Sequence, residues 1–119
     1  MTRKSIAAAS LLLLFTLASC HSAPELKDPE PIPVPANVPA PKVAEVVKQS
    51  LQQRGWVLEG ETPGHMDAAV HQRGATAQIG IDYDEKQVLL KYKSGESSRY
   101  TSWVRRLSDD IKRNLTFAR

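Results

Sequence analysis

From Pro41 onward, apolar positions recur with two different periods, and the change of period divides the chain into elements. Val43, Val46, Val47, Ser50, Leu51 and Arg54 fall at i, i+3, i+4, i+7, i+8 and i+11. Their apolar members form one stripe of a helix, with Glu45, Lys48, Gln49, Gln52 and Gln53 facing out. Pro41 suits the first turn, where a missing N–H costs nothing, and Gly55 suits the C-terminal stop. From Trp56 the period drops to two. Trp56-Val57-Leu58-Glu59 reads as a short strand, and Thr62-Pro63-Gly64-His65 reads as a type II turn. The strand from His65 to Arg73 puts Met66, Ala68 and Val70 on one face, and His65, Asp67, Ala69 and His71 on the other. After an Arg73-Gly74 turn, Ala75, Ala77, Ile79, Ile81 and Tyr83 share a face in the cleanest alternation of the chain. Asp84-Glu85-Lys86 is a polar loop, and Val88, Leu90 and Tyr92 continue the pattern in a fourth strand. Helical spacing returns at Tyr100, Trp103, Val104, Leu107, Ile111 and Leu115. Arg105–Asp109 and Arg106–Asp110 make i,i+4 pairs on its outer side. The expected fold is α+β, a two-layer sandwich in the order α-β-β-β-β-α. Its four strands form an antiparallel meander, and both helices cover one face.

The preceding residues follow neither period. Thr2-Arg3-Lys4 is a basic start, and Ile6 to Leu17 is almost wholly apolar. That run of about 12 residues is short of the roughly 20 a membrane-spanning helix needs, and the layout is that of an export signal. It ends in Leu17-Ala18-Ser19-Cys20, and Cys20 is the only cysteine. Residues 21–41 then hold seven of the eight prolines, alternating through Pro29, Pro31, Pro33 and Pro35. Proline fixes its own φ and keeps its predecessor extended. Such a segment makes a semi-rigid spacer of about 3.1 Å per residue.

Leu17-Ala18-Ser19-Cys20, placed directly after the apolar run, is similar to the lipobox of bacterial lipoproteins. The resemblance implies cleavage between Ser19 and Cys20, a lipid on the Cys20 sulfur, and acylation of the new amine by palmitate-like chains. One acyl chain binds a membrane only marginally, whereas several anchor it stably. His21 rather than Asp follows Cys20, which by enterobacteria-like sorting implies the outer membrane, facing the periplasm. The expected division is a signal peptide over 1–19, a lipidated cysteine and proline-rich tether over 20–41, and a small α+β periplasmic domain over 42–119. Within the domain, Arg54-Gly55-Trp56, Arg73-Gly74, Tyr83, Tyr92 and Trp103-Val104 resemble a family of small, uncharacterised proteobacterial lipoproteins. That likeness implies architecture and compartment, and no activity. The helices and sheet are also similar in layout to the small lipoprotein subunits of the outer-membrane protein assembly machine, although here helices stand at both ends.

Charge changes the picture once cleavage is allowed for. The full chain carries 16 basic and 13 acidic residues, and loss of Arg3 and Lys4 brings the balance to 14 against 13. Near-neutrality offers no case for nucleic acid. With Cys20 acylated no thiol is left for a disulfide, a zinc ribbon or cysteine redox chemistry. His65, Asp67 and His71 share a strand face, but residues six apart on a strand lie about 20 Å apart, too far for joint metal coordination. Asp82, Asp84 and Glu85 read as a hairpin end rather than a catalytic carboxylate pair. No G-x-S-x-G, P-loop or G-x-G-x-x-G occurs. The expectation is a non-enzyme without metal or cofactor. Trp56, Trp103, Tyr92 and Tyr100 could line a sugar or peptide groove, with core packing as the competing role for Trp103.

The sheet face away from the helices is then the candidate site. Thr76, Gln78, Asp82, Leu89 and Lys91 would lie on it, beside two unpaired sheet edges suited to docking or strand addition. The expected role is a membrane-anchored envelope lipoprotein whose domain binds a protein partner, with the bilayer held through acylated Cys20. The alternative is a periplasmic ligand-binding module for glycan or lipid.

Overall fold

The computed structural model describes residues 27–95 and 98–118. Ser19, Cys20 and the export segment lie outside the described residues. A two-residue strand, β1 (Ile32–Pro33), precedes helix α1 (Ala40–Gln53). Four longer strands follow: β2 (Val57–Thr62), β3 (His65–Gln72), β4 (Ala75–Tyr83) and β5 (Gln87–Gly95). Helix α2 (Ser98–Thr116) closes the order. The strands form one sheet in the order β1-β5-β4-β3-β2, and every neighbouring pair is antiparallel. The fold is α+β, but the sheet has five strands and the order is β-α-β-β-β-β-α. The expected four-stranded count is corrected by β1, which comes from the proline-rich segment.

Pairing with β5 explains why a proline-rich run can be a strand at all. Ile32 stands opposite Val88, the Val34 amide donates to the Lys86 carbonyl at 2.9 Å, and the Asp28 carboxylate accepts from the Tyr92 amide at 2.8 Å. In an extended strand successive N–H groups point to opposite edges. With Val34 donating inward, Pro31, Pro33 and Pro35 occupy the positions whose N–H would face solvent. Proline is tolerated only on such an outer edge, and it leaves no donor there for a further strand. The spacer expected over 20–41 therefore gives way, from Asp28 on, to chain laid against the sheet. Ile32 and Val38 are 2% and 3% exposed and belong to the core.

Helix α1 ends as the glycine signal implies. Gly55 adopts φ 77°, and the Trp56 amide bonds back to the Leu51 carbonyl at 2.9 Å. Val43, Val46, Val47 and Leu51 are buried against Val104, Leu107, Ile111 and Leu115 of α2 and against Met66, Val70, Ile79, Ile81 and Leu90 of the sheet, in one cluster. The buried Ser50 hydroxyl donates to the Val46 carbonyl at 2.8 Å and accepts from the Asn114 amide at 2.9 Å, so burial leaves it satisfied. Asp110 does not face outward to Arg106. It is buried, and its carboxylate receives the Arg54 guanidinium from the end of α1 and Arg113, at 2.7 Å, from its own helix. The Arg54 hydrogen bond holds the Asp110 carboxyl below the usual carboxylate range.

The Asn114–Ser50 contact and the Arg54–Asp110 pair tie the helices at their shared end. At the other end of α2, Tyr100 packs on Tyr92 with ring centroids 4.6 Å apart, and its hydroxyl donates to the Gln78 carbonyl. That carbonyl lies where the β4–β5 register shifts, with Lys93 as the extra residue between Ser94 opposite Gln78 and Tyr92 opposite Ile79.

Placing β1 inside the domain yields a test by truncation. A chain begun at residue 42 lacks Ile32 and Val38, which by burial contribute about 1.5–3 kcal/mol each. A chain begun at residue 27 keeps both. Urea unfolding is expected to separate the two by about 3 kcal/mol or more, and coincident midpoints would show that residues 27–41 add nothing to the core.

Candidate functional site on the open sheet face

Opposite the helices, β3, β4 and β5 present their alternate residues as a connected polar surface. Its geometry follows from register. His65 pairs with Asp82, Asp67 with Gly80, and Gly80 in turn with Lys91. Gly80 is buried and lies at the centre. A Cβ built there would meet His65 Cε1 at 3.2 Å and Lys93 Cδ at 3.7 Å, so both side chains lie across the strand at Gly80, and any larger residue would press on the His65 ring.

The result is a row of alternating charge. Lys91 Nζ stands 3.0 Å from Asp82 Oδ2, Asp82 Oδ1 is 2.6 Å from His65 Nδ1, His65 Nε2 is 3.1 Å from Asp67 Oδ1, and Lys93 Nζ donates to that oxygen at 2.9 Å. Two carboxylates against one ring favour the imidazolium, which donates from both nitrogens. Hydrogen bonds to Asp82 first and Asp67 second therefore raise the His65 pKa above its ordinary value. Lys93 and then His65 hold Asp67 low, while His65 and then Lys91 hold Asp82 low. These side chains are a third to a half exposed, so water screens the pairs and each adds little stability by itself. What the row provides is order. Each charge has a neighbour of opposite sign within 2.6–3.1 Å on the face.

The remaining sequence-predicted residues surround this row. Gln78 donates to Glu59 at 3.3 Å and accepts from Ser94 at 2.8 Å. Thr76 is exposed and bonds to His71 Nδ1 at 2.8 Å. Leu89 is half-buried opposite Asp82. Thr76, Gln78, Asp82, Leu89 and Lys91 thus share one face. Asp84 is a hairpin residue, accepting the Lys86 and Gln87 amides at 2.7 and 2.9 Å, but Asp82 is not. It belongs to His65, 17 positions away. The visible signal was that both fall on the non-core alternation of their strands. Only the turn at Arg73-Gly74 says that they meet.

The expectation of two open edges needs correction in part, because β1 pairs with Gln87 and Val88 at the start of β5 and Asp28 takes the Tyr92 amide further along. The edge at β2 carries Val57 and Leu58, 58% and 38% exposed, followed by a register shift between Leu58 and Gly60. The four aromatic residues do not form one groove. Tyr92 and Tyr100 pair beside β5, whereas Trp56 and Trp103 line a separate cleft.

Chemically, both His65 nitrogens are engaged by carboxylates, so neither is left to take a proton from a substrate. Among the described residues, no group of three or more His, Cys, Asp and Glu could hold a metal ion, and no helix is long and apolar enough to cross a membrane. No protein-family model matches this chain, and no curated protein matches it.

The charged row predicts a pH signature. His65, raised above 6.5, contributes stability that is fully present below 6.5 and lost as pH rises through its folded value. Asp67 and Asp82, lowered from 3.8, contribute stability that is present above 3.8 and lost as pH falls through their folded values. The melting-temperature gap between the wild type and His65→Gln is therefore expected to be widest between about pH 4 and 6.5 and to narrow at higher pH. A gap that does not change with pH would show that His65 acts only by packing.

Proposed function

We propose that this chain is a membrane-anchored bacterial lipoprotein, acylated at Cys20, whose domain is a non-enzymatic protein-interaction module of the cell envelope. The compartment rests on the basic start, the apolar run and Leu17-Ala18-Ser19-Cys20. The single observation that carries the interaction role is the row Lys91–Asp82–His65–Asp67–Lys93, paired across a sheet face that no element covers among the described residues. Docking costs side-chain order, and charges already biased toward one arrangement by their neighbours have somewhat less order to lose. Charges fixed in alternating sign also select a partner by complementarity more than by raw affinity. Thr76, Gln78, Asp82, Leu89 and Lys91 supply the contact surface in this reading, and the outer membrane, facing the periplasm, is its location.

A second reading, a ligand-binding module for glycan or lipid, has its own observation. Both tryptophans of the chain line a single cleft away from the sheet face.

Two measurements test the first reading. Labelling with a palmitate analogue is expected to mark the wild type in cells and to be lost in Cys20→Ala; an unlabelled wild type would remove the anchor. A photo-crosslinking residue at Thr76 or Gln78 is expected to capture one envelope protein repeatedly, with capture lost in Leu89→Glu. Crosslinking that yields no protein from cells rich in the lipoprotein would end the docking role.

A further inference from the structure

A cleft of about 200 Å³ opens where the end of α1, the end of β3 and the middle of α2 meet. Its lining contains Gln53, Arg54, Trp56, Gln72, Trp103 and Arg106, with Val70 among them and no carboxylate. Trp56 is almost wholly buried and forms the floor with the core, so Trp103, half-buried, supplies the indole surface that the cleft exposes. Arg54 is held at one side by Asp110, which Arg113 also neutralises. Arg106 is exposed and has no hydrogen-bonding or ionic partner among the described residues. Gln53 uses its carbonyl oxygen for Asn114, which leaves its amide N–H groups to donate. The local charge is therefore positive, the walls are partly aromatic, and the remaining polar groups are amides.

From this geometry we infer that the cleft binds an acidic sugar, one ring bearing a carboxylate or phosphate. The inference rests on the ligand-binding reading and is independent of the docking face. The C–H face of a sugar ring packs on indole. The amides of Gln53 and Gln72 match hydroxyl groups. A planar guanidinium is the side chain best shaped to hold a carboxylate or phosphate through two hydrogen bonds. The volume lies below the roughly 300–1,000 Å³ of pockets for drug-sized ligands, which limits the occupant to about one ring. Arg106 is the anion-binding residue in this assignment, since Arg54 already spends its charge on Asp110.

The chain has only two tryptophans and both line the cleft, so indole fluorescence reports on this site alone. The full-length lipoprotein in a sugar-free detergent is titrated with glucuronic acid, glucose 6-phosphate and, as the neutral control, glucose. An acidic sugar is expected to change indole emission saturably, with Kd on the order of a millimolar or below. Arg106→Gln, an exposed position, is expected to fold normally and to weaken that binding about tenfold or more. Equal response to glucose, or binding unchanged in Arg106→Gln, would overturn recognition of the acid while leaving a sugar-binding cleft in place. No indole response to any of the three would overturn both.

Discussion

Two residues of positive φ, Arg73 at 52° and Gly74 at 78°, turn β3 back onto β4, and most of the molecule depends on the register they set. A two-residue turn with both φ values positive matches the natural twist of a hairpin and permits one pairing. That pairing sets Met66 against Ile81, Ala68 against Ile79 and Val70 against Ala77 on the core side. On the other side it sets His65 against Asp82 and Asp67 against Gly80. A slip of one residue would send each set to the opposite face. Core and charged row are thus two consequences of one constraint.

The two ends of the sheet are treated differently. On the β5 side, β1 takes up the start of the edge at Gln87 and Val88, and the alternate prolines of its segment present no donors outward. On the same side, the Tyr100 hydroxyl uses a carbonyl freed by the β4–β5 irregularity, which fastens α2 to the sheet. The same irregularity gives Lys93 the position from which it reaches over Gly80 to Asp67. A feature that reads as a defect in the ladder therefore serves both the helix packing and the charged face. The β2 side ends the sheet among the described residues, with a strand interrupted by its own register shift. Natural proteins use both devices, proline and bulge, to restrain exposed edges.

The domain carries two surfaces of different character. The sheet face is broad and its charges are paired among themselves, an arrangement that the docking reading uses. The cleft between α1, β3 and α2 is small, partly aromatic and positively charged, an arrangement suited to a small anion. They share no residue, so selection could act on either without the other. The Arg54–Asp110 pair connects the cleft to stability, because the same guanidinium that lines the cleft also joins the helices.

Local periodicity is enough to name the two helices, the four strands between them, the Pro63-Gly64 turn and the core face of both helices, β3, β4 and β5. These are decided by neighbours within a few positions, and burial then enforces them. Five residues of the sheet face were legible for the same reason, since alternation alone separates the two sides of a strand. The Ile32–Pro33 strand was not. Polyproline and β backbones occupy the same extended region, so a spacer and an edge strand look alike until a partner edge is present. The i+4 spacing to Arg106, a local rule, points Asp110 outward, whereas Arg54 reaches it from 56 positions away. The junction of His65 with Asp82, and of both tryptophans in one cleft, likewise joins residues distant in the chain. Periodicity assigns a residue to a face, but only the packed register decides which residues on that face touch.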